Sequence, residues 1–195
     1  MVMHIHQIRS ELKECLSAKR YRHTEGVAAS SRELAARYGA SPEKAELAGW
    51  VHDCAKEMTL DEMKALVREG GLAVDAPVLK SRALLHGPAG SVYARLHFGI
   101  DDAEILSAVF YHTTGKPDMS LLEKIVFLAD YIEPSRDFPG VEELRALAEQ
   151  DLDRALIAAY DSTIRHLAEQ HVYIYDLTIA GRNYLILSQR HAQAE

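Results

Sequence analysis

The sequence predicts an all-α chain folded as one compact helical bundle, on three observations. Apolar residues recur at three-and-four spacing through nearly every segment, the period of an amphipathic helix. Helix-opening residues followed three positions later by Glu recur between those segments, at Thr59 with Glu62, Asp101 with Glu104 and Ser120 with Glu123. The one β-prone stretch, Val172 to Tyr175, is too short to found a sheet.

The first helix is expected from Ile5 to Ala18, with Ile8, Leu12 and Leu16 on its inner face, and His4 and His6 lie at its frayed start. A second runs from Tyr21 to Tyr38, stops at Gly39 and carries His23 in its first turn. Beside that histidine, Lys19, Arg20 and Arg22 form the densest basic run, suited to a solvated face or to a local phosphate contact. Ser41-Pro42 then opens a helix expected to carry His52, Asp53 and Lys56. Ala48, Gly49 and Ala55 leave room around the pair, and Lys56 lies on the same side, as a phosphate anchor or a dipole partner.

Thr59 to Gly70-Gly71 reads as a short helix, and Leu72 to Arg82 as a loop. Leu85-His86-Gly87-Pro88 places His86 before a Gly-Pro break and a new helix, where His97 ends the apolar run. Asp101 to Tyr111 forms an apolar helix ending at His112, followed by a polar turn containing Lys116. Leu121 to Ile132 is the most hydrophobic helix, and Asp130 within it needs a partner: a buried lone carboxylate costs several kcal/mol, so it is paired or metal-bound. A loop with Arg136 precedes one or two helices over Leu144 to Gln170, with His166 and His171 at their ends. A last helix runs from Asp176 to about Gln189.

With 195 residues, 48% hydrophobic and 26% charged, one core forms without staples, and no repeat or linker marks a second domain. A net charge of −7 argues against a general nucleic-acid or membrane-surface binder. Cys15 and Cys54 fit reduced packing thiols better than a disulfide. The N-terminus lacks the apolar core of a signal peptide, and no run reaches a membrane span, so a soluble cytoplasmic protein is expected. Monomer and homodimer both stay open.

A His-Asp dipeptide arises by chance about 0.6 times in a chain of this composition, so His52-Asp53 alone says little. The ordered set His23, His52-Asp53, His86, His112, Asp130 says more, because imidazole and carboxylate are the ligand types of a divalent transition metal. This set resembles the HD-domain superfamily of metal-dependent phosphohydrolases, over roughly Tyr21 to Arg136. A narrower resemblance rests on Tyr21-Arg22-His23-Thr24-Glu25-Gly26-Val27, His52-Asp53-Cys54-Ala55-Lys56, Leu85-His86-Gly87-Pro88, Tyr111-His112-Thr113-Thr114-Gly115 and Ala129-Asp130-Tyr131-Ile132-Glu133-Pro134-Ser135-Arg136, with a looser match at Thr178 to Tyr184. It is to the bacterial symmetrical bis(5'-nucleosyl)-tetraphosphatases, which cleave diadenosine tetraphosphate to two ADP.

The resemblance implies one HD-type domain across residues 1–195, with a metal-binding core at about 21–136 and C-terminal helices at 141–190. It implies two divalent metals, iron first, with manganese, cobalt or zinc also suited to the ligand types. His23, His52, Asp53 and Asp130 would hold one; His86, His112 and a bridging Asp53 the other. Asp53 and Lys56 would act in catalysis, and Lys56, Lys116 and Arg136 would meet the polyphosphate. The competing readings are another HD-domain phosphohydrolase, acting on mononucleotides or deoxynucleotides, and a nucleotide-binding module without turnover.

Overall fold

The computed structural model describes residues 3–192 and contains, among them, eleven helices and no strand. In order these are α1 (Ile5–Cys15), α2 (Ala18–Tyr38), α3 (Pro42–Val51), α4 (Leu60–Glu69), α5 (Ala76–Leu79), α6 (Arg82–Leu96), α7 (Ala103–Tyr111), α8 (Leu121–Ile132), α9 (Val141–Ala148), α10 (Leu152–Glu169) and α11 (Asp176–Ala192). The main core joins Val27, Trp50, Val51, Val109, Ile125, Phe127 and Leu156, from α2, α3, α7, α8 and α10. A smaller one gathers Met63, Val67, Val78 and Leu85 where α4 and α5 lie on α6.

Two glycines set how closely the site-bearing helices approach. A Cβ on Gly49 of α3 would lie 2.6 Å from the Ala28 Cα of α2, and one on Gly87 of α6 would lie 2.6 Å from the Phe110 carbonyl oxygen of α7. Both distances are impossible for a real side chain, so only glycine permits these crossings.

Several boundaries differ from the sequence expectation. The first helix ends at Cys15, because Ser17 caps α2, its side chain accepting from the Arg20 amide at 3.3 Å; His23 therefore lies in the second turn of α2, not the first. Asp102 caps α7 in place of its neighbour Asp101, accepting from the Glu104 and Ile105 amides. No break occurs at Gly87-Pro88. Proline in a helix interior costs about 3 kcal/mol, but the stretch from Leu85 to Val92 is wholly buried, and that packing holds α6 together. The pair His52-Asp53 lies just past α3, not inside it: the chain tightens into successive i→i+3 turns, with amides of Cys54 and Lys56 donating to Val51 and Asp53. The expected loop at Leu72 to Arg82 contains the single turn α5, and Val172 to Tyr175 is an irregular connection. The capping boxes at Thr59 and Ser120 form as expected.

Candidate metal centre

Five elements deliver one side chain or one pair each to a common point. α2 supplies His23, the turn after α3 supplies His52 and Asp53, α6 supplies His86, the end of α7 supplies His112, and α8 supplies Asp130. His23, His52, Asp53, His86 and His112 are buried, and Asp130 keeps 20% side-chain exposure.

The Asp53 carboxylate divides the cluster. Its Oδ2 lies 3.5 Å from His52 Nε2 and 3.7 Å from His23 Nε2, while its Oδ1 lies 3.2 Å from His86 Nε2 and 3.5 Å from His112 Nε2. Asp130 closes the first half, with Oδ1 at 3.0 Å from His23 Nε2 and 4.0 Å from His52 Nε2. Two overlapping triads have ligand atoms all within 4.8 Å of one another, His23-His52-Asp130 and His52-Asp53-His112. By distance, His52 belongs to both.

Tautomers follow from the partners of the opposite ring nitrogens. His52 Nδ1 meets the Gly49 carbonyl at 2.6 Å and His112 Nδ1 meets the Val109 carbonyl at 2.7 Å. A carbonyl only accepts, so each Nδ1 carries the proton and each Nε2 turns a lone pair inward. His23 Nδ1 likewise donates to Glu133 Oε1 at 3.0 Å. Glu133 is itself buried and accepts from the Ser135 amide and hydroxyl at 2.7 and 2.5 Å.

The residues fit a metal on two observations. His23 Nε2, His52 Nε2 and Asp53 Oδ1 are buried polar atoms with no hydrogen-bond partner, a costly arrangement unless a cation satisfies them. On the other side, His112 Nε2 at 2.9 Å and Lys56 Nζ and Thr113 Oγ1 at 3.0 Å converge with Asp53 on His86 Nε2, a nitrogen with one lone pair or one proton to share.

Electrostatics agree. Burial would raise the Asp53 carboxyl, but the imidazoles of His52, His112 and His86 packed around it hold it well below the carboxylate range. Asp130 behaves alike: burial opposes, while His23, His52 and Arg136 prevail. Burial pushes His86 down to about 4, with Lys56 and His112 adding to it against Asp53. A neutral imidazole is what a ligand requires.

The expected phosphate contacts divide. Lys56 is in the cluster, 3.7 Å from Asp53 Oδ1. Arg136 sits at its edge, donating from Nη2 to Asp130 Oδ1 at 2.5 Å and from Nε to the Asp130 carbonyl at 2.7 Å. Lys116 is not brought in: its partners are Glu123 at 3.0 Å and the Asp118 carbonyl at 3.1 Å, none of them in the cluster. Three residues beyond the predicted set join the site. Glu133 and Thr113 stood inside quoted motifs without a role, and Arg20, in the basic run, donates to Asp53 Oδ2 at 2.7 Å.

A family model described as HD domain matches residues 20–135. The symmetrical bis(5'-nucleosyl)-tetraphosphatase of Halalkalibacterium halodurans is 46% identical over 92% of this chain and 95% of its own length. The protein of the same name from Bacillus subtilis is 40% identical over 90% and 94%. The crystal structure of a predicted HD superfamily hydrolase involved in NAD metabolism from Clostridium acetobutylicum superposes with a TM-score of 0.93 at 41% identity, covering 96% of this chain and 100% of that one.

Proposed function

The chain belongs to the HD domain family, among the symmetrical bis(5'-nucleosyl)-tetraphosphatases it matches over most of its length, and from that premise we propose that it hydrolyses diadenosine tetraphosphate to two ADP. One observation carries the reading: a single carboxylate, Asp53, offers one oxygen to each of two groups of inward-facing histidines. In this reading His23, His52, Asp53 and Asp130 hold one divalent cation, and Asp53, His86 and His112 hold a second. The chemistry such cations supply is activation of water at neutral pH and neutralisation of charge on the attacked phosphoryl group. Iron is the family's implication, and the imidazole-carboxylate set is equally compatible with manganese, cobalt and zinc.

The protein's own groups do the rest. Gly49, Val109 and Glu133 fix the tautomers of His52, His112 and His23. Lys56, partly exposed beside His86, places an ammonium where a non-bridging phosphate oxygen would lie, and Arg136 offers its remaining donors at the Asp130 edge. Lys116 would have to leave Glu123 to take part. The reading is tested by incubating the chain with diadenosine tetraphosphate and iron, manganese or cobalt and identifying the products. ADP alone is expected, ATP plus AMP sinks symmetrical cleavage, and phosphate release from mononucleotides with the dinucleotide intact selects the mononucleotidase alternative.

A further inference from the structure

Arg20 has no place in the ligand set, yet it is built into the site. Its Nη1 donates to Asp53 Oδ2 at 2.7 Å across 33 positions of sequence. The start of α2 is tied to the turn that carries Asp53: the Ser17 amide and hydroxyl donate to the two carboxylate oxygens of Glu57 at 2.7 and 2.6 Å, and Ser17 Oγ in turn accepts from the Arg20 amide. A guanidinium has five N–H donors, and Asp53 is the one side chain that this guanidinium meets among the described residues. The side chain keeps 28% exposure.

Lys56 stands at the other oxygen. Its Nζ lies 3.7 Å from Asp53 Oδ1 and 3.0 Å from His86 Nε2, and the side chain is 32% exposed. Each oxygen of Asp53 therefore has a part-exposed cation beside it, Arg20 with the His23-His52 half and Lys56 with the His86-His112 half. A tetraphosphate cut at its central P–O–P bridge carries a nucleoside diphosphate on either side of the reacting atoms. One cation next to Asp53 can hold only one of those halves.

We infer that Arg20 is a substrate-binding residue, the counterpart of Lys56, whose free guanidinium donors bind the phosphates of the nucleoside diphosphate half lying on the His23 side. This rests on the dinucleoside tetraphosphate reading above. The test uses the full-length, manganese-loaded protein and calorimetric titration with a diadenosine tetraphosphate analogue in which CH2 replaces the central bridging oxygen. Arg20→Gln is expected to bind it about tenfold more weakly with the metal content of the native protein, Arg20→Lys to recover part of the loss, and Arg22→Gln, an exposed neighbour in the same basic run, to match native. With diadenosine tetraphosphate itself the loss should appear mainly in KM. Equal affinity of Arg20→Gln and native protein overturns the assignment, as does loss of bound metal in Arg20→Gln, which would make Arg20 a support for Asp53. Failure of the native protein to bind the analogue overturns the substrate reading itself.

Discussion

His52 and His112 hold the same station on two different helices. Each is the right-handed C-cap residue, of α3 and α7, each donates from Nδ1 to the carbonyl three residues back, and their rings meet edge-on at 5.0 Å. The last turn of a helix leaves carbonyls without amide partners. An imidazole at the cap satisfies one of them and turns its other nitrogen toward the point where the two helix ends converge. One local device, used twice, fixes two ligand tautomers with no buried acid assigned to them, whereas His23, in mid-helix, relies on Glu133.

Because Asp53 faces four histidines, one at each corner of the divided cluster, Asp53→Ala should abolish hydrolysis at least as completely as His112→Ala, with both losses beyond about 100-fold. Metal content per chain should fall further in the Asp53 variant than in the His112 variant. Hydrolysis retained in Asp53→Ala would contradict the bridging assignment.

What the sequence made legible was whatever is local. The caps at Ser41, Thr59 and Ser120 are set by side chains within three residues and the stop at Gly39 by its left-handed backbone, and all stand where the pattern places them. The six candidate ligands were legible as an ordered set, and the fold brings all six together. What escaped depends on contacts far apart in the chain: Arg20 with Asp53, and Glu133 with His23 across 110 positions. Pro88 misled for the same reason, since the burial that keeps α6 continuous comes from elements distant in sequence. Asp102 prevailed over Asp101 where two adjacent residues offer the same capping chemistry and only packing chooses, with Ile100 and Ile105 both buried.

Glu133 holds His23 through Nδ1, and Gly26 is what leaves space for it, since a Cβ there would collide with Glu133 Oε2. Both Glu133→Gln and Gly26→Ala should therefore weaken metal binding or activity by about 10- to 100-fold. The Gly26 variant acts without removing any polar group. Metal affinity measured by competition with a chelator checks this; a Gly26→Ala protein with native affinity would count against the link.

Gly49→Ala should cost stability before it costs chemistry. The added Cβ meets backbone, the Ala28 Cα at 2.6 Å and N at 2.9 Å, so α2 and α3 must separate rather than a side chain turn aside. Overpacking of this kind costs about 1–3 kcal/mol, read as a lower urea midpoint at unchanged m. An unchanged midpoint would mean the two helices slide without penalty.

Asp102 gives the fold a pH dependence away from the metal centre. It caps α7 and pairs with Lys44 at 2.8 Å, and the hydrogen bond from Lys44, against a smaller burial effect and with help from the Ile105 and Glu104 amides, holds its carboxyl below the ordinary 3.8. Lys44, raised to about 12 chiefly by Asp102 and then Glu104, stays charged throughout. A folded pKa below the unfolded one means that the stabilisation is present above 3.8 and is lost as pH falls through the folded value. Asp102→Ala should therefore cost about 1 kcal/mol at neutral pH, and the gap from native should narrow below about pH 3.8. Asp102→Asn keeps a capping oxygen without the charge, so its stability relative to Asp102→Ala should not vary with pH. Denaturant titrations of the three proteins between about pH 2.5 and 7 decide it: a native-to-Ala gap that stays constant across that range would show that Asp102 acts through its shape and neutral hydrogen bonding, not through its charge.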